Sequence, residues 1–342
     1  MVSEDSIGRV VDGLGNPIDG LGRIPNAVPV QVHATPPKPL ERRRITEPMP
    51  LGIRAIDGLF TVGKGQRMGV FSGSGVGKSS VIGMIARSTK ADVNVIGLIG
   101  ERGREVREFI ERDLGEEGLS RSVVVVATSD QSPLMRIKGA YLATAIAEYF
   151  RDRGKNVLLM IDSITRFAYA QRELGLATGE PPATRGYPPS LFTMLPKLLE
   201  RSGMSGKGSI TGLYNVLVEA DDMNEPVADT VRSILDGHIV LSRALAARNI
   251  YPAVDVMQSI SRVMPDVTSE EHLQLSRRFV EVMATHRDAE DLINIGAYVK
   301  DSNPKIDYAI TRIERMNDYI RQGLFEKIEY EDAKRSLKGI FG

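Results

Sequence analysis

Cysteine and tryptophan are both absent from the 342-residue sequence, and its formal net charge is zero. Without cysteine there can be no disulfide and no thiolate-bound metal, a composition that fits a cytosolic protein. Lysine and arginine together number 44, and so do aspartate and glutamate. That balance argues against a general nucleic-acid-binding field, while leaving room for a local basic stripe. Long apolar runs are missing too, none approaching the ~18 residues that a membrane span needs. The opening Met1-Val2-Ser3-Glu4-Asp5 is acidic and polar and does not read as a signal peptide. What is present, 42% apolar and 26% charged residues, is the composition of a soluble globular protein with ample core. Its length suits about two domains.

The stretch Ser72-Gly73-Ser74-Gly75-Val76-Gly77-Lys78-Ser79-Ser80 reads as a phosphate-binding loop. Arg67 to Phe71 before it is short and β-prone, and Val81 to Ala86 after it has helical spacing. Glycines let the backbone wrap an anion, and the freed N–H groups and helix N-terminus point at phosphates. Lys78 is placed to reach the β- and γ-phosphates of ATP, and the Ser79 hydroxyl to bind Mg²⁺. The strict pattern has glycine where this chain has Ser72. The bland alternative is an ordinary Gly/Ser turn with a surface lysine.

Residues 1–40 are dense in turn signals, with Val28, Val30 and Val32 alternating as a short strand would. Glu41-Arg42-Arg43-Arg44 reads as a solvated basic face at a linker end. From Leu51 onward strands and helices alternate. Strands are predicted at 67–71, 93–99, 122–128, 156–161, 209–217 and 238–242, and helices at 78–88, 103–112, 134–151, 164–174, 189–201 and 226–235. This alternation predicts a mostly parallel sheet with helices on both faces. Helices at 268–288, 304–321 and 329–337 predict a small helical C-terminal domain.

Two strand ends carry chemistry. Asn156 to Ser163 is an apolar strand ending in Asp162, the type of aspartate that supports Mg²⁺ in phosphate-loop enzymes. Val95 to Glu105 ends another strand with Glu101 and Arg102. Glu101 could orient and deprotonate an attacking water, and Arg102 could neutralise γ-phosphate charge. By spacing alone, a salt-bridged helix start explains this pair equally well.

Several segments resemble the rotary-type hexameric ATPases, most closely the bacterial type III export ATPases. They are Gly97 to Glu105, Pro182 to Ser190, Leu198-Leu199-Glu200-Arg201, Ser233 to Arg243, Tyr251-Pro252-Ala253-Val254-Asp255 and Ser259 to Met264. Asp221-Asp222-Met223-Asn224-Glu225-Pro226 tilts the match toward the flagellar member. The resemblance spans residues 8–342 and is most specific between 50 and 265. It implies an α/β fold: a RecA-like P-loop NTPase core at 46–265, an all-α C-terminal domain at 266–342, and the end of an N-terminal β-barrel with its linker at 1–45. Relatives carry about a hundred more residues before the loop, a domain's worth, so the expectation is a truncated chain.

Carried over residue by residue, the resemblance gives Gly73, Ser74, Gly75, Val76, Gly77, Lys78, Ser79 and Ser80 to ATP or ADP. It gives Ser79 and Asp162 to Mg²⁺, Glu101 as general base and Arg102 as a γ-phosphate contact. Arg262 matches an arginine finger acting on the neighbouring subunit's nucleotide. Tyr251 matches the aromatic that stacks on adenine, and Tyr298 is assigned the second wall of that pocket. Read without the family, Tyr251 is a core tyrosine before a proline and Arg262 a surface ion-pair partner.

The implied activity is ATP hydrolysis driving unfolding and delivery of export substrates in the flagellar apparatus. The alternatives are an injectisome ATPase or a rotary ATP synthase-type subunit. Implied partners are further copies in a homohexamer of the full-length protein, a peripheral-stalk-like regulator, a coiled-coil central stalk, the export gate, chaperones and substrates, with no nucleic acid. The implied location is cytoplasmic, peripheral to the inner membrane. A non-catalytic nucleotide-binding subunit would replace Glu101, usually with glutamine. An RNA-translocating hexamer needs a basic, aromatic-bearing oligonucleotide-binding domain.

Overall fold

Runs such as Val95 to Ile99 and Val123 to Val126 are apolar at consecutive positions, which suits a strand covered on both faces. In the computed structural model, which describes all residues except 219–221, these runs form the middle of one sheet. Its strands are β1 (Val10–Asp12), β2 (Arg67–Ser72), β3 (Val93–Ile99), β4 (Ser122–Ala127), β5 (Asn156–Asp162), β6 (Gly203–Met204), β7 (Ser209–Leu217), β8 (Gly237–Leu241) and β9 (Ile260–Ser261). The spatial order is β1-β4-β3-β5-β7-β2-β8-β9, with β6 paired to β7. The pairings from β1 through β8 are parallel; β6 and β9 add antiparallel edges.

The helices are α1 (Arg54–Leu59), α2 (Lys78–Ser88), α3 (Gly103–Glu108), α4 (Gly115–Leu119), α5 (Pro133–Arg151), α6 (Ile164–Ala177), α7 (Pro189–Leu199), α8 (Pro226–Ile234), α9 (Arg243–Ala247), α10 (Met264–Val267), α11 (Glu270–Asn294), α12 (Pro304–Ile310), α13 (Ile313–Ile320) and α14 (Tyr330–Phe341). Two apolar clusters sandwich the sheet. One joins Val70, Ile96 and Met160 to Val81 and Ile85 of α2 and to Phe279, Met316 and Leu337 of the C-terminal helices. The other joins Phe71, Val95 and Ile161 to Ile146 of α5, Phe167 of α6, Leu195 of α7 and Val231 of α8. Each fully buried aliphatic of this kind contributes about 1.5–3 kcal/mol. The C-terminal helices therefore share a core with the helix that follows the phosphate loop.

The structure departs from the sequence reading at several points. Val28 makes only an isolated bridge to Val2, and no strand runs through Val30 and Val32. Instead, Val10 to Asp12 pair with Val124 to Val126, so the N-terminal segment supplies an edge strand of the main sheet. That segment is knotted by Asp19, which accepts from Arg9 Nε at 2.7 Å, Arg9 Nη2 at 2.9 Å and Val10 N–H at 3.0 Å.

The basic cluster is solvated only in part: Glu41, Arg43 and Arg44 are exposed, while Arg42 is half-buried. Arg42 donates to Ser202 O at 2.7 Å, Arg43 donates to Ser205 O at 2.7 Å, and the buried Arg201 reaches back to Val32 O at 2.7 Å. The helix predicted at 103–112 changes at Phe109 into a wider π turn, which Gly115 ends at φ +63°. The helix predicted at 304–321 breaks between Ile310 and Ile313. There the Thr311 hydroxyl bonds back to Tyr308 O at 2.8 Å, the local competition that weakens helix interiors. Asp221, part of the acidic stretch read as flagellar in character, lies outside the described residues.

Candidate active site

Strand β2 ends at Ser72, the chain turns through residues 73–77, and α2 begins at Lys78. Gly75 and Gly77 have φ of +79° and +87°, a left-handed backbone that side chains disfavour. Val76 between them is 1% exposed and anchors the loop in the core, while Ser74 and Ser79 face outward. The aromatic ring of Tyr251 lies over the loop: a Cβ at Gly77 would sit 3.5 Å from its Cε1. Gly73 is covered by the Arg243 guanidinium, which would have to move aside to admit a side chain there. Ser72, where the strict pattern has glycine, is buried with its hydroxyl unpaired.

Three parallel strands bring the charged groups together at their carboxyl ends. β2 carries the loop and Lys78, β3 leads to Glu101, and β5 ends in Asp162. Lys78 Nζ forms a close ion pair with Asp162 Oδ1 and lies 3.5 Å from Glu101 Oε1. Burial pushes the Lys78 ammonium down, and the Asp162 and Glu101 charges overcome it, leaving it above its ordinary value. The Glu101 carboxyl is pushed up to about 7, first by burial and then by the Asp162 charge. Lys78 belongs chiefly to Asp162, so it compensates Glu101 only in part. Glu101 Oε1 is buried and accepts no well-aligned hydrogen bond. Ser79, Glu101, Glu105 and Asp162 line one small hollow.

Not every residue singled out in the sequence converges here. Arg102 is 77% exposed in its side chain and pairs with Glu105 at 3.1 Å, outside the hollow. The guanidinium that influences Glu101 directly is Arg166, whose positive charge draws the carboxyl back down. Its side chain lies against Gly100, and its buried Nε has no hydrogen-bond partner. A sequence signal for it existed, since Arg166 sits in the first turn of the helix that follows Asp162. Arg262 follows the edge strand β9, where its N–H donates to Asp236 O at 3.0 Å. It therefore sits away from its own chain's loop, by the starting ends of β2 and β8.

Tyr298 is bonded within its own turn. Its hydroxyl donates to Asn303 O at 3.1 Å, within the turn between α11 and α12. The part of the C-terminal domain that adjoins Tyr251 is the segment starting at Gln322, whose N–H donates to Tyr251 O at 2.9 Å. Phe325, 68% exposed, follows there with Arg87 stacked 4.9 Å from its ring centre.

The parallel sheet, the glycine-rich loop opening α2 and the carboxylates of β3 and β5 define a phosphate-loop nucleotide-binding protein with a RecA-like core. Residues 52–261 match the nucleotide-binding domain of the ATP synthase alpha/beta family, and residues 268–339 match the T3SS EscN ATPase C-terminal domain. The chain belongs to the ATP synthase alpha/beta family.

It is 57% identical over 336 residues to the flagellum-specific ATP synthase of Bacillus subtilis (strain 168), spanning 98% of this chain and 77% of that protein. It is 54% identical over 334 residues to the type 3 secretion system ATPase of Xanthomonas euvesicatoria, spanning 98% and 76%. Among solved structures, the assembled ATPase EscN from the enteropathogenic E. coli type III secretion system superposes with a TM-score of 0.93 at 49% identity. That match covers 99% of this chain and 82% of the other. EscN in complex with its central stalk EscO matches with a TM-score of 0.92, at the same identity and coverage.

Proposed function

We propose that this protein hydrolyses ATP as the export ATPase of a bacterial flagellar type III apparatus. The observation that carries the reading is the convergence of Lys78, Glu101 and Asp162 behind a glycine-rich loop. The 57% identity to a flagellum-specific ATP synthase supports the flagellar assignment over an injectisome one.

In this reading Gly73 to Ser80 wrap the phosphates, Lys78 neutralises their charge, and Tyr251 stacks on the adenine. Glu101, with a carboxyl near 7 and a buried oxygen that accepts no well-aligned hydrogen bond, is the base that takes a proton from the attacking water. Arg166, beside Glu101, takes the γ-phosphate role assigned from sequence to Arg102. Arg262 serves the nucleotide of the adjacent copy.

No cluster of three or more His, Cys, Asp or Glu fit to hold a metal occurs among the described residues. That suits Mg²⁺, which is commonly held by one or two protein oxygens together with nucleotide phosphates. Ser79 and Asp162 would hold it here. When bound it would supply neutralisation of phosphate charge.

Assembly into a homohexamer around a coiled-coil stalk, with a peripheral-stalk-like regulator, export gate, chaperones and substrates as partners, follows from the family. It is supported by the assembled and stalk-bound structures of EscN. No helix among the described residues is long and apolar enough to cross a membrane, which suits peripheral attachment to the cytoplasmic face of the inner membrane.

The test separates binding from turnover. Lys78→Ala should abolish ATP binding in a titration with a fluorescent ATP analogue. Glu101→Gln should bind with unchanged affinity and hydrolyse 10²–10⁴-fold more slowly, the usual contribution of a general base. Unchanged affinity in Lys78→Ala, or wild-type turnover in Glu101→Gln, would overturn the assignments.

A further inference from the structure

Gln66 is fully buried, yet it is polar and lies outside the nucleotide pocket. Every polar atom of its side chain is used. Oε1 accepts the Gly63 N–H at 2.8 Å, and Nε2 donates to Asp236 O at 3.2 Å and to Ser261 Oγ at 3.0 Å. The Ser261 hydroxyl passes the connection on to Thr61 O at 2.9 Å. Arg67, the next residue, grips the Asp236 carboxylate through its backbone N–H at 3.0 Å and through Nε and Nη2 at 3.1 Å each.

Both anchor points lead to one place. Asp236 O accepts the Arg262 N–H at 3.0 Å, and Ser261 is the residue immediately before Arg262. The approach is close enough that Gly237 tolerates no side chain, since a Cβ there would lie 2.4 Å from Ile260 O. On the other side of Arg262, Val263 packs over Gly63 of the same turn. The backbone on both flanks of Arg262 is thus bolted to the 61–67 turn, while its side chain makes a long contact among the described residues, Nη1 to Leu235 O at 3.5 Å.

We propose that Gln66, with the Arg67–Asp236 clamp, positions Arg262 for the neighbouring copy's nucleotide. The proposal rests on the reading of Arg262 as a finger acting across subunits. Gln66 touches neither the loop nor the base. It precedes the loop by the length of β2, about 20 Å at 3.3 Å per residue. A displacement of about 1 Å in a group that meets the transition state costs on the order of 10² in rate, so the fault caused by losing Gln66 should appear next door and not at home.

The experiment uses the full-length, assembled enzyme. Gln66→Met keeps the bulk of the side chain and removes its hydrogen bonds. It should leave the affinity for a fluorescent ATP analogue unchanged and lower kcat about 10²-fold. Mixed with Glu101→Gln subunits, which keep the finger and lack the base, it should regain activity. At such an interface, an intact Glu101 on the Gln66→Met subunit meets an intact Arg262 from its neighbour.

Arg262→Ala mixed with Glu101→Gln is run in parallel. If that control recovers and the Gln66→Met mixture does not, Gln66 acts within its own site and the proposal falls. If neither recovers despite proven subunit exchange, the finger reading itself falls. Wild-type kcat or weakened nucleotide affinity in Gln66→Met would also overturn the proposal. Ser261→Ala, which removes a single link of the pedestal, should show the same pattern at smaller amplitude, so the proposal stays open to refutation if Gln66→Met fails to fold.

Discussion

Glu101→Gln should make the nucleotide-free protein more stable, and only at high pH. The carboxyl of Glu101 moves from an ordinary 4.5 to about 7 in the fold, because burial and the Asp162 charge disfavour its ionised form. A group raised in this way contributes stability that is complete below its unfolded value and is lost as pH rises through its folded value. At about 1.4 kcal/mol per pH unit, the ionised Glu101 therefore costs the fold about 3 kcal/mol above pH 7. The side chain is only 15% exposed, so solvent screens little of that cost.

Glutamine keeps the shape and never ionises, so it should recover most of this cost at pH 8. At pH 5 both forms are largely uncharged in the fold, and the gain should shrink below about 1 kcal/mol. Urea unfolding of both proteins at the two pH values measures the difference. An equal gain at both values, or a loss at pH 8, would refute the reasoning. In the second case the Glu101–Lys78 contact at 3.5 Å would be a net stabilising ion pair.

Two further outcomes follow from other parts of the molecule. Gln322 accepts the Arg54 N–H at 2.8 Å and donates to Gly52 O at 2.8 Å and Glu326 O at 2.9 Å, tying the C-terminal helices to the start of the core. Gln322→Ala should destabilise the chain by about 1–3 kcal/mol, read by urea unfolding, and should speed proteolysis within residues 300–342. Arg9 holds the Asp19 carboxyl well below the usual carboxylate range. Its contribution is present above the ordinary value near 3.8 and is lost only as pH falls through the depressed one. The N-terminal knot should accordingly keep its hydrogen-exchange protection at pH 4, whereas Asp19→Asn should lose protection at residues 9–22 even at neutral pH.

The central strands, the phosphate loop and the carboxylate ends of β3 and β5 were legible because each is local. An apolar run, a glycine-lysine-serine turn and a strand-final aspartate all announce themselves within ten residues. What lies against Tyr251 was not legible, because that proximity is set by tertiary packing. Only the fold shows that Gln322, 71 positions along the sequence from Tyr251, closes against it. Arg102 and Arg166 pose the opposite difficulty. Both lie one helical turn or less beyond a strand that leads into the hollow, and spacing does not tell which side chain turns inward. Arg42 looked solvated because its partner is the backbone carbonyl of Ser202, which no side-chain pattern reveals.

Strand β2 is hydrogen-bonded on both sides, to β7 over its whole length and to β8 over residues 69–72. A strand held this way is stiff, so its two ends cannot move independently. The nucleotide loop grows from one end and the bolted turn beneath Arg262 from the other. A ring of such chains would be a set of rigid couplers, each grasping its own nucleotide and presenting a guanidinium to the next. The compliance needed to admit and release nucleotide must then come from elsewhere.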